Sequence, residues 1–434
     1  MSRFFIPFIA LLLNSCQAQS TPVTFNFRDF LGVNAQFLWF QNCPQNPVQS
    51  PTDHVDHLMQ QMEHLGLKHF RMDLHWDLLE PEKGTDEVLK NCLDPVMQKS
   101  QQHHLDPLLF LTGSAKFASR APAGEPFPDT FPPRDPSQYT GFLKKLALRY
   151  PQVQTWQVWN EPNLPSSWRT SASTTLVREY GDLLQSSAKA LKGLPTEVMT
   201  AGFAYWSELP EGSFLLKHLQ DSRALEGIQT VAYHPYTFQP EGITAYSKGP
   251  DFFLNRTKMV NETLKGWGKR IWATEFGWST YPGPVEEQPL ITPEEQADFL
   301  LRRIVLSAHL GFDRIYLFTL TDLDGRASLR DQFYGLLDVN GQPKPAFTAL
   351  RRFLDVLKGD LEPVELGWKP SSVLHSRAWK RTDGRVVVAF WGNPQVLQLS
   401  QEAQVLDPLT GRSNAASRQV EVKTKLQLLV LPHP

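Results

Sequence analysis

Trp156-Gln157-Val158-Trp159-Asn160-Glu161-Pro162-Asn163 closes an apolar, strand-like run with a carboxylic acid set immediately before a proline. Proline disfavours α backbone in its predecessor, so Glu161 is expected extended at the tip of a strand, projecting into whatever cleft lies beyond. Ile271-Trp272-Ala273-Thr274-Glu275-Phe276-Gly277-Trp278 has the same build: an aromatic-rich strand candidate, an acid, then a glycine able to turn the chain.

Working outward, short apolar or β-rich runs recur at residues 30–37, 68–76, 105–112, 153–159, 197–205, 228–238, 270–278 and 314–321, eight in all. Between them, residues 53–65, 136–150, 176–191 and 293–310 carry apolar side chains at three- and four-residue spacing, as amphipathic helices do, while the fifth and sixth helices are weakly marked. Eight β/α units predict an α/β fold with a closed (β/α)8 TIM barrel over residues 21–358, with its chemistry at the C-terminal strand ends. After a helical pattern at 345–357 the texture changes. Arg385-Val386-Val387-Val388-Ala389-Phe390-Trp391 follows the hairpin signal Asp383-Gly384, predicting a small, sandwich-like all-β domain over residues 359–434. The Pro-rich stretch 121–136 is expected on the rim of the barrel mouth.

Two strand-end glutamates among tryptophans point to glycoside hydrolysis, in which one carboxyl protonates the leaving oxygen and the other attacks the anomeric carbon. Trp159-Asn160-Glu161-Pro162-Asn163 resembles the acid/base motif of the clan A retaining glycoside hydrolases, and Glu161 and Glu275 close the fourth and seventh predicted strands, as that clan requires. Further matches are Arg71 in the second run, His234-Pro235-Tyr236 in the sixth, and Tyr334-Gly335-Leu336-Leu337-Asp338 with Pro343-Lys344-Pro345-Ala346 after the eighth. The likeness covers about residues 31–357 and, within the clan, looks like family 39, including its bacterial exopolysaccharide hydrolases.

The resemblance implies β-glycosidic bonds cleaved by double displacement through a glycosyl-enzyme, in a poly- or oligosaccharide. Glu161 would be acid/base, Glu275 nucleophile, Asn160 a partner of the sugar 2-hydroxyl, and Arg71 and Tyr236 partners of the nucleophile. His234, Asn34, Trp76 and Trp278 are further candidates to support or line the site, as are Trp39, Trp168 and Trp206, each weighed against core packing. Tyr316-Leu317-Phe318-Thr319-Leu320-Thr321-Asp322 lacks the tryptophan that often ends the eighth strand as a sugar platform. Lys116, Arg120, Arg326 and Arg330 fall in loops able to meet an acidic polysaccharide, though solvated charges are the plainer reading.

At 434 residues with 41% hydrophobic and 20% charged content, the chain is normally globular, and a net charge of -2 supplies no field for nucleic acid. Met1-Ser2-Arg3 and the apolar residues 4–13 form a stretch too short to span a bilayer, which reads as an export signal over residues 1–20. Leu13-Asn14-Ser15-Cys16 resembles a bacterial lipobox, so Cys16 is the expected lipid anchor, with cleavage near Ala18 or Ser20 as the alternative. In an oxidising compartment Cys43 and Cys92 then form an even pair, open to a disulfide or to two free thiols.

No cofactor or metal is expected: Gly277-Trp278-Ser279 lacks the second glycine of a nucleophile elbow, Gly266 and Gly268 lack the third of a dinucleotide loop, and His54, His57, His103 and His104 have no ligand spacing. A saccharide is the expected partner, with membrane contact only through Cys16. The competing reading from another class is a surface carbohydrate-binding protein that keeps the cleft without catalysis.

Overall fold

The computed structural model describes residues 24–44, 53–170, 173–242, 249, 251–285, 288–365 and 374–432. The signal segment and Cys16 lie outside the described residues. Nine parallel strand segments line the barrel: β1 Leu31–Asn34, β2 His69–His75, β3 Asp106–Thr112, β4 Thr155–Val158, β5 Glu197–Met199, β6 Gly202–Ala204, β7 Thr230–His234, β8 Arg270–Ala273 and β9 Arg314–Leu317. They pair in the order β5-β4-β3-β2-β1-β9-β8-β7-β6. Its two ends are one stave, because β5 and β6 are separated only by Thr200 and Ala201 and lean on different neighbours: β5 on β4, β6 on β7. A parallel bridge from Asn160 to Gly202 closes the ring into eight staves.

The strands alternate as the two-residue period demands. Phe70, Met72 and Leu74 of β2, Leu109 and Leu111 of β3, Trp156 and Val158 of β4, and Val231 and Tyr233 of β7 face outward into the main core beneath the helices. The inward face is layered. Leu108, Met199, Ala232, Trp272 and Tyr316 form a separate apolar plug inside the barrel. Gly32 of β1 leaves room for it, since a Cβ there would lie 2.5 Å from the Tyr316 ring. One inward step further along the strands, about 6.6 Å per two residues, the chemistry changes: Asn34 follows Gly32, Gln157 follows Thr155, His234 follows Ala232 and Thr274 follows Trp272. The polar layer of the site therefore rests on an apolar floor.

The outer helices start with local chemistry that fixes where each begins. Asp135 caps Pro136–Arg149 by accepting from the Ser137 amide, and Thr292 caps Pro293–Ser307 in a capping box with Glu295. The fifth helix is only Leu215–Asp221, and the sixth is a full Phe252–Gly266.

After the helix Pro345–Val356, an antiparallel sheet runs β10 Leu361–Val364, β11 Leu374–Arg381, β12 Val386–Gly392, β13 Gln395–Leu406, β14 Ser417–Val422 and β15 Gln427–Leu431, in the order β10-β11-β12-β15-β13-β14. In β12 the period-two split is complete: Val387, Ala389 and Trp391 join the barrel core, while Val386, Val388 and Phe390 face a second cluster with Val420 and Val422. The long β13 is irregular between Gln398 and Ala403, pairing with β14 on one side and β15 on the other. Trp391 Nε1 donates to Glu241 at 2.8 Å and the Leu426 amide to Asp298 at 2.8 Å, fastening the sheet to the barrel.

Candidate active site

Arg71 organises the barrel mouth. Its guanidinium, almost wholly buried, lies 3.8 Å from the Phe110 ring centroid and donates to Gln157 at 2.7 Å, Asn34 at 2.9 Å, Asn160 at 2.8 Å and Glu275 at 2.5 Å. A buried cation is costly unless ion-paired and saturated with acceptors, and the ends of three strands, β1, β4 and β8, supply the acceptors here. Asn34 is itself held by the carbonyls of Thr274 and Leu317, at 3.0 and 3.2 Å.

The second oxygen of Glu275 accepts from the Tyr236 hydroxyl at 3.2 Å. Burial, reinforced by the negative charge of Glu275, pushes that phenol well above its ordinary range, so it remains a donor. His234, with no exposed surface, stands between the acids: Nδ1 is 2.8 Å from Glu161 and 3.6 Å from Glu275. Nε2 lies 3.0 Å from the Thr274 hydroxyl, which is 3.5 Å from the Gln157 amide nitrogen. With Gln157 donating to Thr274 and Thr274 to Nε2, the ring proton falls on Nδ1 and points at the acids, a tautomer assigned from the network. Gly202 is required behind this ring, because a Cβ there would lie 2.0 Å from His234 Nε2.

Donor atoms of Glu161, His234 and Glu275 all lie within 4.8 Å of one another. That trio could share a cation, but the Arg71 guanidinium already supplies positive charge against Glu275. The cavity above has a volume of about 610 Å³, in the range of small-molecule clefts.

Two local expectations fail. Glu161 is not extended: its φ is 44° and that of Trp159 is 71°. Its amide donates to the Gly202 carbonyl at 2.9 Å, and Asn163 bonds the amide and carbonyl of Ala204 and the carbonyl of Glu208 at 2.9–3.0 Å. These bonds to the neighbouring stave outweigh the cost of left-handed backbone. Gly277 does not turn through a positive φ. It is needed for close approach, since its Cβ would sit 2.0 Å from the Phe318 carbonyl oxygen.

The tryptophans separate by packing. Trp76 is buried, stacked on Phe142 and donating to Glu80, and Trp278 packs on Phe299 and Arg303, so neither lines the cavity. Both belong to the outer core because they follow their strands into it. Trp168 and Trp206 are likewise core residues, whereas Trp39 lines the cavity. Cys43 and Cys92 are joined, with Cα atoms 5.5 Å apart, fastening the loop that carries Trp39 to the segment following β2. Residues missed by the sequence reading include Gln157 and Thr274, which orient the charged groups, and Asp73, His75 and Tyr205 on the walls.

No family model matches the chain. A β-xylosidase of Geobacillus stearothermophilus is 23% identical over 317 residues, 67% of this chain and 58% of that protein. The chain thus spans under two thirds of the length of this curated relative. A family 39 glycoside hydrolase structure from Bacteroides cellulosilyticus WH2 superimposes with a TM-score of 0.67 at 20% identity, over 93% of this chain and 80% of that one. The GH39 enzyme from Xanthomonas axonopodis pv. citri gives 0.63 at 18% identity, over 96% of both chains, and a GH30 endoxylanase from Clostridium papyrosolvens C71 gives 0.60 at 13%, over 94% and 97%.

The fold is that of the family 39 and family 30 glycoside hydrolases. On this frame the end of the eighth stave carries Phe318, which lines the cavity beside Tyr334, their ring centroids 5.2 Å apart. Of the four loop cations, Arg330 alone lines the cavity, 4.0 Å from Asp331; Arg120 forks onto Glu179, and Arg326 onto Asp324.

Proposed function

We propose that the chain is a retaining O-glycoside hydrolase acting on β-linked poly- or oligosaccharides. The observation that carries this reading is the separation of the acids. Their oxygens lie within 4.8 Å, close to the about 5–5.5 Å of direct displacement and short of the roughly 6.5–9.5 Å that admits an intervening water.

In the first step Glu161 gives its proton to the glycosidic oxygen while a Glu275 oxygen bonds the anomeric carbon, and the bond to the leaving sugar breaks. In the second, Glu161 takes a proton from water as that water attacks the same carbon, freeing Glu275. Arg71 and Tyr236 each donate to one oxygen of Glu275 and aim it. Asn160 spends its carbonyl oxygen on Arg71, which leaves its amide hydrogens to reach the sugar 2-hydroxyl. The His234 Nδ1 proton steadies whichever carboxylate is charged. Residues 1–20 and Cys16 support an exported, lipid-anchored protein, a setting that fits the joined cysteines.

The test is reducing-sugar release from a panel of β-linked saccharides, β-xylosides included, with the anomeric configuration of the first product followed by NMR. Glu161→Gln and Glu275→Gln should each lower turnover by at least a thousandfold while the fold persists. Near-normal rates in either variant, or an inverted product, would refute the assignment.

A further inference from the structure

Arg71, Asp73 and His75 occupy alternate positions on β2, all on the inward face and all lining the cavity. Arg71 grips the proposed nucleophile, so Asp73 stands about 6.6 Å higher, beside the ring of whichever sugar Glu275 attacks. His75 lies 3.4 Å from Asp73 and 3.9 Å from Asp77, and Asp129 joins this wall from the loop above β3. A third of the Asp73 side chain and about two-fifths of that of His75 remain open to the cleft.

Three carboxylates thus surround one imidazole. Their charge holds the His75 ring cationic beyond its ordinary range against the opposing effect of burial. Within the whole lining, Asp73, Asp129, Glu161, Glu275 and Asp331 face three cations, the Arg71 and Arg330 guanidiniums and the His75 imidazolium, so the acids are in excess. Arg71 is committed to Glu275 and three amide oxygens, and Arg330 sits beside Asp331.

A different wall supplies a surface for the sugar ring itself. Trp39 lies on the turn Phe37–Phe40, whose Phe37 and Phe40 are sunk into the core against Phe70 and His54. The Arg326 guanidinium, 4.4 Å from the ring centroid, also donates to the Trp39 carbonyl at 2.8 Å. A large apolar ring is thereby fixed on the cavity wall, a surface on which the C–H face of a sugar packs.

We infer that the cleft selects a neutral sugar at the position Glu275 attacks and rejects a uronic acid there, with Asp73 and Asp129 as the specificity-determining groups and Trp39 as a platform. Sugar hydroxyls donate well to carboxylates, whereas a uronate would bring a third anion against Asp73 and Glu275 in a confined site. This inference rests on the glycosidase reading but can fail separately from it.

The experiment compares full-length protein on paired substrates differing only at C6: 4-nitrophenyl β-glucoside against β-glucuronide, and β-galactoside against β-galacturonide. The neutral member should show at least a hundredfold higher kcat/KM, and Asp73→Asn with Asp129→Asn should shrink that ratio at least tenfold, mainly by raising the neutral KM. Trp39→Ala should raise KM tenfold for neutral substrates with kcat held, and Trp39→Phe should restore most of it. Equal or better hydrolysis of the uronides overturns the inference and leaves the glycosidase reading intact. If neither member of either pair is hydrolysed, the glycosidase reading is left to the wider panel above, and titration of tryptophan fluorescence with neutral and uronate oligosaccharides decides the inference: preferential quenching by neutral chains supports it, and equal or uronate-favouring quenching overturns it.

Discussion

The two strand ends that carry the acids reach one cavity by different means. The Glu161 end is built from left-handed residues tied by hydrogen bonds to the next stave, through the Glu161 amide and the Asn163 side chain. The Glu275 end keeps φ out of the left-handed region and is set by contact, with Gly277 wedged against the Phe318 carbonyl. One tip is held by polar bonds, the other by lack of space. The roles proposed for the two acids differ accordingly. An acid/base must swing between proton donor and acceptor within a bonded loop, whereas a nucleophile has to stand still under a guanidinium and a phenol.

Arg71 is bonded to both tips, through Glu275 and Asn160. Arg71→Met should therefore have the largest effect: about 4 kcal/mol lost in stability, since the buried acceptors are left unpaired, and turnover down by roughly a thousandfold. Denaturant unfolding and kcat on an aryl glycoside measure the two. A loss confined to one tip's chemistry would break the idea that Arg71 couples them. Next, Gly277→Ala should cost about 2 kcal/mol, because two strand ends must part to admit a methyl group. It should slow glycosyl-enzyme formation equally for good and poor leaving groups, as the nucleophile is displaced and the acid is not.

Much of this was legible beforehand, for reasons that can be traced to residues. The outward faces of the strands followed period two, and the paired motifs at Glu161 and Glu275 marked the ends of staves that the structure places across one cavity. What escaped reading depends on neighbours distant in sequence. Gln157 stood in plain view inside an apolar run, and a lone amide at an inward position of a β-strand is itself a signal of a polar layer; Thr274 offered less, being at home in any strand. The backbone of Glu161 could not be read from Pro162, because the bonds that hold it come from Gly202 and Ala204. Trp76 and Trp278 looked like platforms because composition does not say which face of a stave a ring leaves by.

Asn163→Ala sharpens the contrast at a smaller scale. It removes two bonds to the β6 backbone at Ala204 and one to the Glu208 carbonyl, costing about 2 kcal/mol, and loosens the acid alone. The kcat/KM on sugar leaving groups, which reports the first step, should fall by roughly a hundredfold, while a dinitrophenyl glycoside, whose leaving group departs without a proton, keeps most of its kcat/KM. Equal losses on both would mean that the tips are not separable.

The smallest effect belongs to a contact remote from either tip, which serves as the reference. His103 joins two outer helices, lying 2.9 Å from Asp56 and 2.9 Å from Glu63. Burial opposes its protonation, but the two acids outweigh burial and raise its affinity for the proton, and the bond from His103 in turn lowers that of Asp56. A raised histidine adds stability that is complete below its ordinary value near 6.5 and fades as pH climbs past its folded value. A lowered aspartate adds stability above its ordinary value near 3.9 that fades on acidification. The clamp is therefore complete between about pH 4 and 6.5. His103→Gln should cost about 0.5 kcal/mol at pH 5.5 and close to nothing at pH 9, with the kcat of both kinds of substrate unchanged, since an outer helix contact can weaken without moving either acid.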